Sequence, residues 1–255
     1  MRKKIFYLLT ISHGKDSQAL FFRLLEEGYP LDEVIYFHMK GAEFRAIEEV
    51  SYETERLCKE RGIKYTRLEP AEGDFHYYAT ERMVEKNNGE HQCGYKWCGR
   101  VCRWGTSLKI QALKNYYAEN FGDSTVVEYV GIASDEKHRI NRQRNGNIVK
   151  LYPLIEWGMT EADCLSYCYS KGIYWEQDGY RLYDLLDRVS CKYCQNKNLN
   201  ELRNIYHCLP SVWEKLKALQ SAIDIPFKDG KTIFDIERRF IEEDRQISIF
   251  EFSAP

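Results

Sequence analysis

The chain has 255 residues and a formal net charge of −2 at pH 7, a length sufficient for one large α/β domain or for a domain with an appendage. A charge this close to neutral argues against a protein that coats nucleic acid, although a local basic stripe is compatible with it. Residues 1–11 contain a basic stretch and only a short apolar run, unlike a signal peptide or a membrane span. We therefore expect a cytoplasmic protein with no membrane partner.

The first predicted elements are a strand, a six-residue turn and a helix. Residues 5–9 form an apolar run typical of a buried strand, and apolar side chains then recur on one helical face until Gly28 and Pro30 end the helix. The turn contains a glycine and opens the helix, so backbone N–H groups and the positive end of the helix dipole meet there. An anion, typically phosphate, is the expected ligand of such a turn.

The turn reads Ser-His-Gly-Lys-Asp-Ser, in which the lysine supplies a positive charge and the serines supply hydroxyl donors. It is not a Walker A loop, because Leu9 stands where that loop has a glycine and Asp16 stands in place of Ser or Thr. Asp16 is expected to cap the helix or to help hold Mg²⁺. Two roles stay open for His13, contact with phosphate or exposure to solvent. The predicted phosphate-binding residues are Ser12, His13, Gly14, Lys15, Asp16 and Ser17, with Lys15 and Asp16 as the catalytic pair.

The next elements repeat the alternation of strand and helix. Residues 33–38 and 63–68 predict two further strands, and residues 46–58 predict the helix between them, which ends at Gly62. This pattern is typical of a Rossmann-like parallel sheet wound by helices, whose ligands lie beyond the carboxyl ends of the strands. The first turn and the segment 39–41 both lie at such ends.

The middle of the chain predicts further elements of both kinds. They are a helix over 75–86, a helix over 106–120, a strand over 125–132 and, after Asn145-Gly146, a hairpin or a tight return into a strand over 148–152. Thr160 and Asp163 form a helix-start signature, and Gly172 ends that helix.

The composition changes beyond Gly179, where no further strand–helix unit is visible. Helices are predicted there over 199–208, 211–223 and 232–243. We therefore divide the chain into an α/β domain, residues 1–173, and a small helical C-terminal extension, residues 174–255.

Nine cysteines are many for a reducing compartment, where they serve as metal ligands, catalytic thiols or buried apolar residues. Cys191 and Cys194 have the spacing of a pair that grips one metal, and Cys98 and Cys102 form a pair with a longer spacer. Together these four predict a four-thiolate site for zinc or a four-iron four-sulfur cluster, with Cys93 as a spare ligand. The alternatives are thiols without a metal, or a redox pair at Cys191 and Cys194. The remaining cysteines are interpreted as core residues of helices: Cys58, Cys164, Cys168 and Cys208.

A polar stretch follows the strand predicted over 125–132. Asp135 lies where an α/β ligand site expects polar groups, so it is predicted to contact the nucleotide, with a solvated turn as the alternative. The basic run from Lys137 to Arg144 could bind a second phosphate, a sulfonate or a nucleic-acid backbone, or be solvated. Nucleic acid therefore stays open as a partner.

Several segments together resemble one family. The turn Ser12 to Ser17 resembles the pyrophosphate loop (PP-loop) of the adenine nucleotide α-hydrolase-like superfamily, and specifically of its phosphoadenosine phosphosulfate reductase family. Further segments resemble motifs of that family in the same order: 39–44, 103–109, 131–136, 152–157, and 182–184 with 191–194. The resemblance implies that residues 1–173 bind ATP or a related adenine nucleotide with Mg²⁺, and that Met39 and Gly41 face the same nucleotide as the turn.

The chain departs from this family in two places. Gly105 stands where the family has a cysteine, with Cys102 three residues earlier, so a metal assignment does not transfer directly from relatives. The reductases carry their nucleophile in a C-terminal cysteine segment, whereas this chain has no cysteine after Cys208. Because sulfonucleotide reduction needs a thiolate that attacks sulfur, the sequence argues against reductase activity.

The resemblance implies an enzyme, a PP-loop ATP pyrophosphatase of the sulfurtransferase kind. Such an enzyme would cleave ATP between the α and β phosphates and adenylate an acceptor that then receives sulfur. The sequence leaves the acceptor and the oligomeric state open. The alternatives are a sulfonucleotide reductase and a non-catalytic, metal-stabilised module that binds nucleic acid through its basic run and its tyrosines.

Overall fold

A computed structural model of the chain describes residues 4–86, 88–98, 102–140, 146–189 and 191–252, with side chains as far as residue 246. The chain divides into two compact units. The first comprises Met1–Ala71 with Leu108–Glu176, and the second comprises Glu72–Ser107 with Gln177–Pro255. Over the described ranges, none of the helices is both long and apolar enough to cross a bilayer.

The elements alternate between strand and helix in the first half of the chain and are mainly helical in the second. The strands are β1 (Ile5–Ile11), β2 (Glu33–Phe37), β3 (Lys64–Leu68), β4 (Met83–Glu85), β5 (His91–Cys93), β6 (Thr125–Tyr129), β7 (Ile148–Leu151), β8 (Glu176–Gln177) and β9 (Tyr180–Arg181). The α-helices are α1 (Lys15–Glu26), α2 (Arg45–Glu60), α3 (Leu108–Phe121), α4 (Pro153–Glu156), α5 (Glu161–Ser170), α6 (Leu182–Leu185), α7 (Leu199–Cys208), α8 (Pro210–Ala222) and α9 (Ile233–Phe252). Shorter helical turns are Tyr77–Glu81 and Arg103–Ser107, both of the π type, and the 3₁₀ helix Ser134–Arg139.

Five parallel strands form the sheet of the first unit, in the order β3-β2-β1-β6-β7. Leu9 in β1 is level with Val34 in β2 and with Tyr129 in β6. Strand β2 is buried along its whole length, and Leu8 and Leu9 have no exposed surface. Such continuous apolar strands are typical of a parallel sheet covered by helices on both faces. The predicted fold class, a parallel sheet wound by helices, is confirmed.

The strand order identifies where a ligand is expected to bind. From β1 the chain proceeds to β2 and β3 on one side and then returns to β6 and β7 on the other. The crevice between the carboxyl ends of β1 and β6 is therefore the switch point at which α/β sheets bind ligands. Gly131, just beyond β6, approaches α1 so closely that a Cβ atom there would lie 3.0 Å from the Ser17 Cα. A larger residue at 131 would displace the first turn of α1.

Most of the predicted elements are confirmed within a few residues. Helix α7 has the predicted bounds, and Thr160 and Asp163 form a complete capping box at the start of α5. The shorter Asp163 side chain reaches the Thr160 N–H at 2.9 Å, so it replaces Glu or Gln at this position. Three of the four cysteines interpreted as core are buried, whereas Cys208 is partly exposed.

The helix predicted over 75–86 is correct in its first part, where Tyr77–Glu81 forms a π-helical turn, and wrong from residue 83 onward. The Tyr78 and Ala79 carbonyls, which a continuous helix would use, accept hydrogen bonds from the Tyr95 and Lys96 N–H groups. The chain instead forms β4, which pairs antiparallel with β5. The alternative of a hairpin into the strand at 148–152 is also wrong, because β7 pairs parallel to β6. Of the segment before it, residues 141–145 lie outside the described part of the chain.

Residues 72–107 belong to the same compact unit as the C-terminal residues. The domain boundary predicted between residues 173 and 174 instead assigns them to the first domain. The Phe75 ring stacks on Tyr193 with 4.4 Å between centroids and packs on Trp104 at 4.2 Å. Trp97 packs edge-on against Phe227 at 4.8 Å. The contacts with Tyr193 and Phe227 join segments more than a hundred residues apart, so no local pattern could predict the grouping.

Candidate functional site

The turn between β1 and α1 presents the uncapped start of a helix. Gly14 is the N-cap residue and has no side chain, so no side-chain hydrogen bond caps the first turn of α1. Asp16 lies in this first turn, although its side chain does not cap the helix. The N-terminus of α1 therefore has the donors and the dipole of an anion site, as predicted.

The two serines of the turn bind each other. Ser17 Oγ donates to the Gly14 carbonyl at 3.1 Å and accepts from the Ser12 N–H at 3.3 Å. The Ser12 and Ser17 hydroxyls lie 3.2 Å apart. Ser17 is buried and Ser12 is exposed. Ser17 therefore closes the turn, and because its own hydrogen goes to the Gly14 carbonyl, the Ser12 hydroxyl donates to Ser17 Oγ.

The His13 ring faces the protein interior, so the solvent-exposed alternative is wrong. Its side chain has no exposed surface, and its two nitrogens lie 3.2 Å from Gln18 Oε1 and 2.9 Å from the Tyr65 hydroxyl. Burial lowers the pKa of His13 from 6.5 to about 3, so the ring is neutral. With both nitrogens occupied inside the protein, only the backbone of His13 is placed for a phosphate contact.

Lys15 points into a group of carboxylates. Only 8% of the residue is exposed, and its Nζ lies 2.9 Å from Glu161 Oε1 and 3.5 Å from Asp16 Oδ1. The ammonium group therefore has counter-ions within the protein. To contact a phosphate, it must exchange these carboxylates for phosphate oxygens.

Three carboxylates converge beside this ammonium group, and we call them the acidic trio: Asp16, Glu136 and Glu161. One oxygen of each lies within 4.8 Å of the others. Asp16 Oδ1 is buried and accepts no hydrogen bond among the described residues. Burial raises the pKa of Asp16 to about 6, against the opposing effect of Lys15. Carboxylate oxygens are the ligands that Mg²⁺ prefers, so the trio could hold the predicted cation.

Asp135 takes part in this site through the backbone of a neighbouring helix. Its carboxylate accepts hydrogen bonds from the Glu161 N–H at 3.2 and 3.4 Å. Asp135 thereby holds the start of α5, and with it Glu161, against the loop that follows β6. The prediction of a direct nucleotide contact stays untested. Arg139, which belongs to the basic run, forms an ion pair with Glu136 within the protein.

The loop after β2 also carries buried ionisable groups. Its turn is closed by a hydrogen bond from the Ala42 N–H to the Met39 carbonyl at 2.8 Å, and Gly41 has a φ of 81°. Just beyond it, Glu43 is buried and accepts a short hydrogen bond from the Tyr36 hydroxyl. Burial raises the pKa of Glu43. The contact of Met39 and Gly41 with a nucleotide remains a prediction.

His38, at the start of this loop, was not predicted as a site residue from the sequence. Its Nδ1 lies 2.9 Å from Glu69 Oε1. Its Nε2 is buried without a hydrogen bond among the described residues and lies 3.5 Å from Glu48 Oε1. No sequence signal identified His38, because Glu48 and Glu69 follow it at spacings of 10 and 31 residues and only the fold brings these side chains together.

The two cysteine pairs both lie in the second unit. The Cys98 and Cys102 thiols share a hydrogen bond, which lowers the pKa of Cys98 to about 6. Backbone N–H groups donate to sulfur in both pairs, from Gly105 to Cys102 and from Tyr193 to Cys191, each at 3.3 Å. Burial is the main cause that raises the pKa of Cys191. Such N–H donors suit thiolate ligands.

The spacing of these thiols bears on the choice of metal. Within the described residues, no three of the thiols have sulfur atoms within 4.8 Å of one another. A single zinc ion would bring its four sulfurs to about 3.8 Å from each other, given its bond lengths and tetrahedral geometry. A four-iron cluster binds each thiolate through a different iron and accepts a wider spacing. Cys93 is exposed on β5, where it pairs with Met83.

Comparisons with known proteins leave the family of the chain open. No family model matches the chain, and no curated protein matches it. Among solved structures, the chain is similar to the U34-tRNA thiolase NcsA from Methanococcus maripaludis, which was solved with its [4Fe-4S] cluster. The two share 12% sequence identity and a TM-score of 0.46 over 94% of this chain and 72% of that chain. A likeness of this size does not establish membership of a family or a function.

Proposed function

We propose that the chain is an enzyme that binds ATP in the turn Ser12 to Ser17, cleaves it between the α and β phosphates, and adenylates an acceptor that then receives sulfur. The observation that carries this proposal is the uncapped start of α1 beside Lys15 and the acidic trio. Hydrogen-bond donors suited to phosphate, the Lys15 ammonium group and oxygen ligands for Mg²⁺ occur together there, at the switch point of a parallel sheet.

The start of α1 would bind the pyrophosphate that leaves. Backbone N–H groups of the first turn donate to phosphate oxygens, and the helix dipole stabilises their charge. Lys15 would transfer its ammonium from Glu161 to these oxygens. Because the charge on the leaving group grows in the transition state, donors held in place beforehand lower the barrier.

The acidic trio would hold Mg²⁺. Its carboxylates carry three negative charges when ionised, and Lys15 and Arg139 together offset two of them, so negative charge is left for a cation. When bound, Mg²⁺ would neutralise charge on the phosphates and orient them. Asp16 is the member whose buried oxygen accepts no hydrogen bond from the described residues.

The proposed reaction has two displacements. A nucleophilic oxygen of the acceptor attacks the α-phosphorus, and the bond to the bridging oxygen breaks as pyrophosphate leaves with the electron pair. A sulfur nucleophile then attacks the activated carbon of the acceptor, and AMP leaves with the carbon–oxygen electron pair. Both steps transfer groups without net oxidation of the chain's residues.

The four thiols of the second unit would hold a four-iron four-sulfur cluster. Their N–H···S hydrogen bonds suit thiolates, and four cysteines are a ligand set that such a cluster accepts. Such a cluster would supply a site at which sulfur is handled.

The proposal is tested by release of labelled pyrophosphate from ATP. Lys15→Ala should reduce release by about a hundredfold, the effect typical of losing one preorganised donor to developing charge. Lys59→Ala, at the exposed end of α2, is the matched control and should behave as wild type. Because the acceptor is unknown, the assay uses total small RNA and, separately, a small-molecule extract as acceptor sources. Wild-type protein that releases no pyrophosphate with either source would contradict the proposal.

A further inference from the structure

We infer that His13 is a positioning residue: its neutral imidazole, held by Tyr65, fixes the shape of the turn Ser12 to Ser17 before any nucleotide binds. The inference rests on the proposed function in one respect, namely that this turn is the nucleotide site. It assigns to His13 neither of the two roles expected from the sequence.

The hydrogen bonds around the ring determine where its proton lies. Gln18 Nε2 donates to Thr54 Oγ1 at 3.1 Å, so the Gln18 oxygen faces His13 Nδ1 at 3.2 Å. An amide oxygen only accepts, and Nδ1 must therefore carry the hydrogen. The other nitrogen, Nε2, is then an acceptor, and the Tyr65 hydroxyl donates to it at 2.9 Å. Burial raises the pKa of Tyr65, which keeps that donor protonated.

This arrangement connects the turn to four elements. Gln18 belongs to α1, Thr54 to α2 and Tyr65 to β3, and the Tyr36 ring of β2 packs edge-on against the imidazole at 4.5 Å between centroids. The ring is fully buried among them. A shift of the turn would therefore break hydrogen bonds whose partners are anchored in the sheet and in two helices.

The backbone of His13 is also held in an unusual conformation. Its φ is 57°, in the left-handed region that residues other than glycine seldom adopt. The His13 carbonyl accepts a hydrogen bond from Trp175 Nε1 at 2.7 Å, and Trp175 has no exposed surface. Side chain and carbonyl are thus both fixed, which sets the direction of the peptide groups that lead into α1.

The consequence concerns the binding of the nucleotide. A turn that is already ordered needs little further ordering when the phosphates bind, so its N–H groups are available in the required geometry. Loss of the contact between His13 and Tyr65 should loosen the turn without removing any group that touches the nucleotide. Affinity for the nucleotide should therefore fall, although His13 itself does not contact the phosphates.

The test uses Tyr65→Phe, which removes a single hydroxyl away from the nucleotide. We expect the dissociation constant for a fluorescent ATP analogue to rise about tenfold, the loss of roughly one hydrogen bond. We also expect faster hydrogen exchange at residues 13–17 without nucleotide. Tyr167→Phe is the matched control, because it removes a hydroxyl bond to Glu26 at the other end of α1. This control should change neither quantity.

A double-mutant cycle separates positioning from general stability. His13→Gly supplies the left-handed backbone without the ring, and in that background Tyr65→Phe should have no further effect on the dissociation constant. Additive effects would overturn the inference, and so would a Tyr65→Phe protein that has lower unfolding free energy but unchanged exchange at 13–17. If wild-type protein does not bind the analogue, the proposed function fails, and the exchange measurement alone then decides whether His13 orders the turn.

Discussion

Lys15 Nζ lies 2.9 Å from Glu161 Oε1, so the ammonium group expected to bind phosphate is held by a carboxylate 146 residues further along the chain. Glu161 begins α5, whose first N–H is bound by Asp135 beyond β6. The lysine proposed to bind phosphate and the candidate cation site therefore both involve Glu161. Binding of a nucleotide with its cation would exchange partners within one small group of charges.

Glu161→Gln tests this shared role. The substitution removes one negative oxygen from the acidic trio, so we expect the Mg²⁺ concentration at half-maximal pyrophosphate release to rise about tenfold or more. Glu119→Gln, on the exposed side of α3, is the control and should leave the Mg²⁺ dependence unchanged. An unchanged Mg²⁺ dependence in Glu161→Gln would exclude the trio as the cation site.

Asp16 should make the affinity for the cation depend on pH. Burial raises its pKa to about 6, so the carboxylate becomes protonated as the pH falls below that value and loses its charge. Mg²⁺ titrations of nucleotide binding between pH 5 and 8 should show affinity falling below about pH 6. Asp16→Asn should have weaker affinity throughout and no such transition, whereas Asp123→Asn should retain it. A wild-type profile that is flat across this range contradicts the assignment.

His13 should make the folded state less stable in mild acid. Its pKa is lowered from 6.5 to about 3, so below pH 6.5 the unfolded chain takes up a proton that the folded chain does not. The stability contributed by the neutral ring is fully present above pH 6.5 and falls as the pH drops toward 3. Between pH 6.5 and 5 the loss should be about 2 kcal/mol. Urea unfolding at both pH values should show this difference in wild type relative to His13→Gly.

Gly131→Ala should displace the phosphate turn. The added Cβ would lie 3.0 Å from the Ser17 Cα, and neither backbone can yield without moving α1 or the loop after β6. We expect nucleotide affinity to fall about tenfold or more while the fold is retained, measured with the same fluorescent analogue. Gly122→Ala is a matched control, since its Cβ would lie 3.1 Å from the Ala118 carbonyl, at the end of α3. Equal affinities in both variants would contradict this role of Gly131.

The cysteine quartet should bind iron when the protein is purified without oxygen. We expect about four irons per chain, and their loss in Cys98→Ala and Cys191→Ala. Cys93→Ala should keep the iron if the exposed thiol on β5 is not a ligand. One zinc per chain, with no iron, would show that the thiols move together around a single ion.

The elements predicted from local patterns were largely correct, because their signals are local. Apolar runs and helical periodicity located the strands and helices of the sheet, and the capping box at Thr160 located α5. The helix predicted over 75–86 ends early because the Tyr78 and Ala79 carbonyls accept hydrogen bonds from the Tyr95 and Lys96 N–H groups, although the fourfold apolar spacing suits a longer helix. A pairing partner later in the chain outweighed the local preference.

The sequence by itself determined the order of strands and helices, the phosphate turn and the two cysteine pairs, since each depends on residues close together in the chain. Only the tertiary structure decided what the side chains of that turn contact. His13 meets Tyr65 across 52 residues and Lys15 meets Glu161 across 146. These contacts depend on the order of strands in the sheet and on burial, which bring distant residues together without leaving a local pattern.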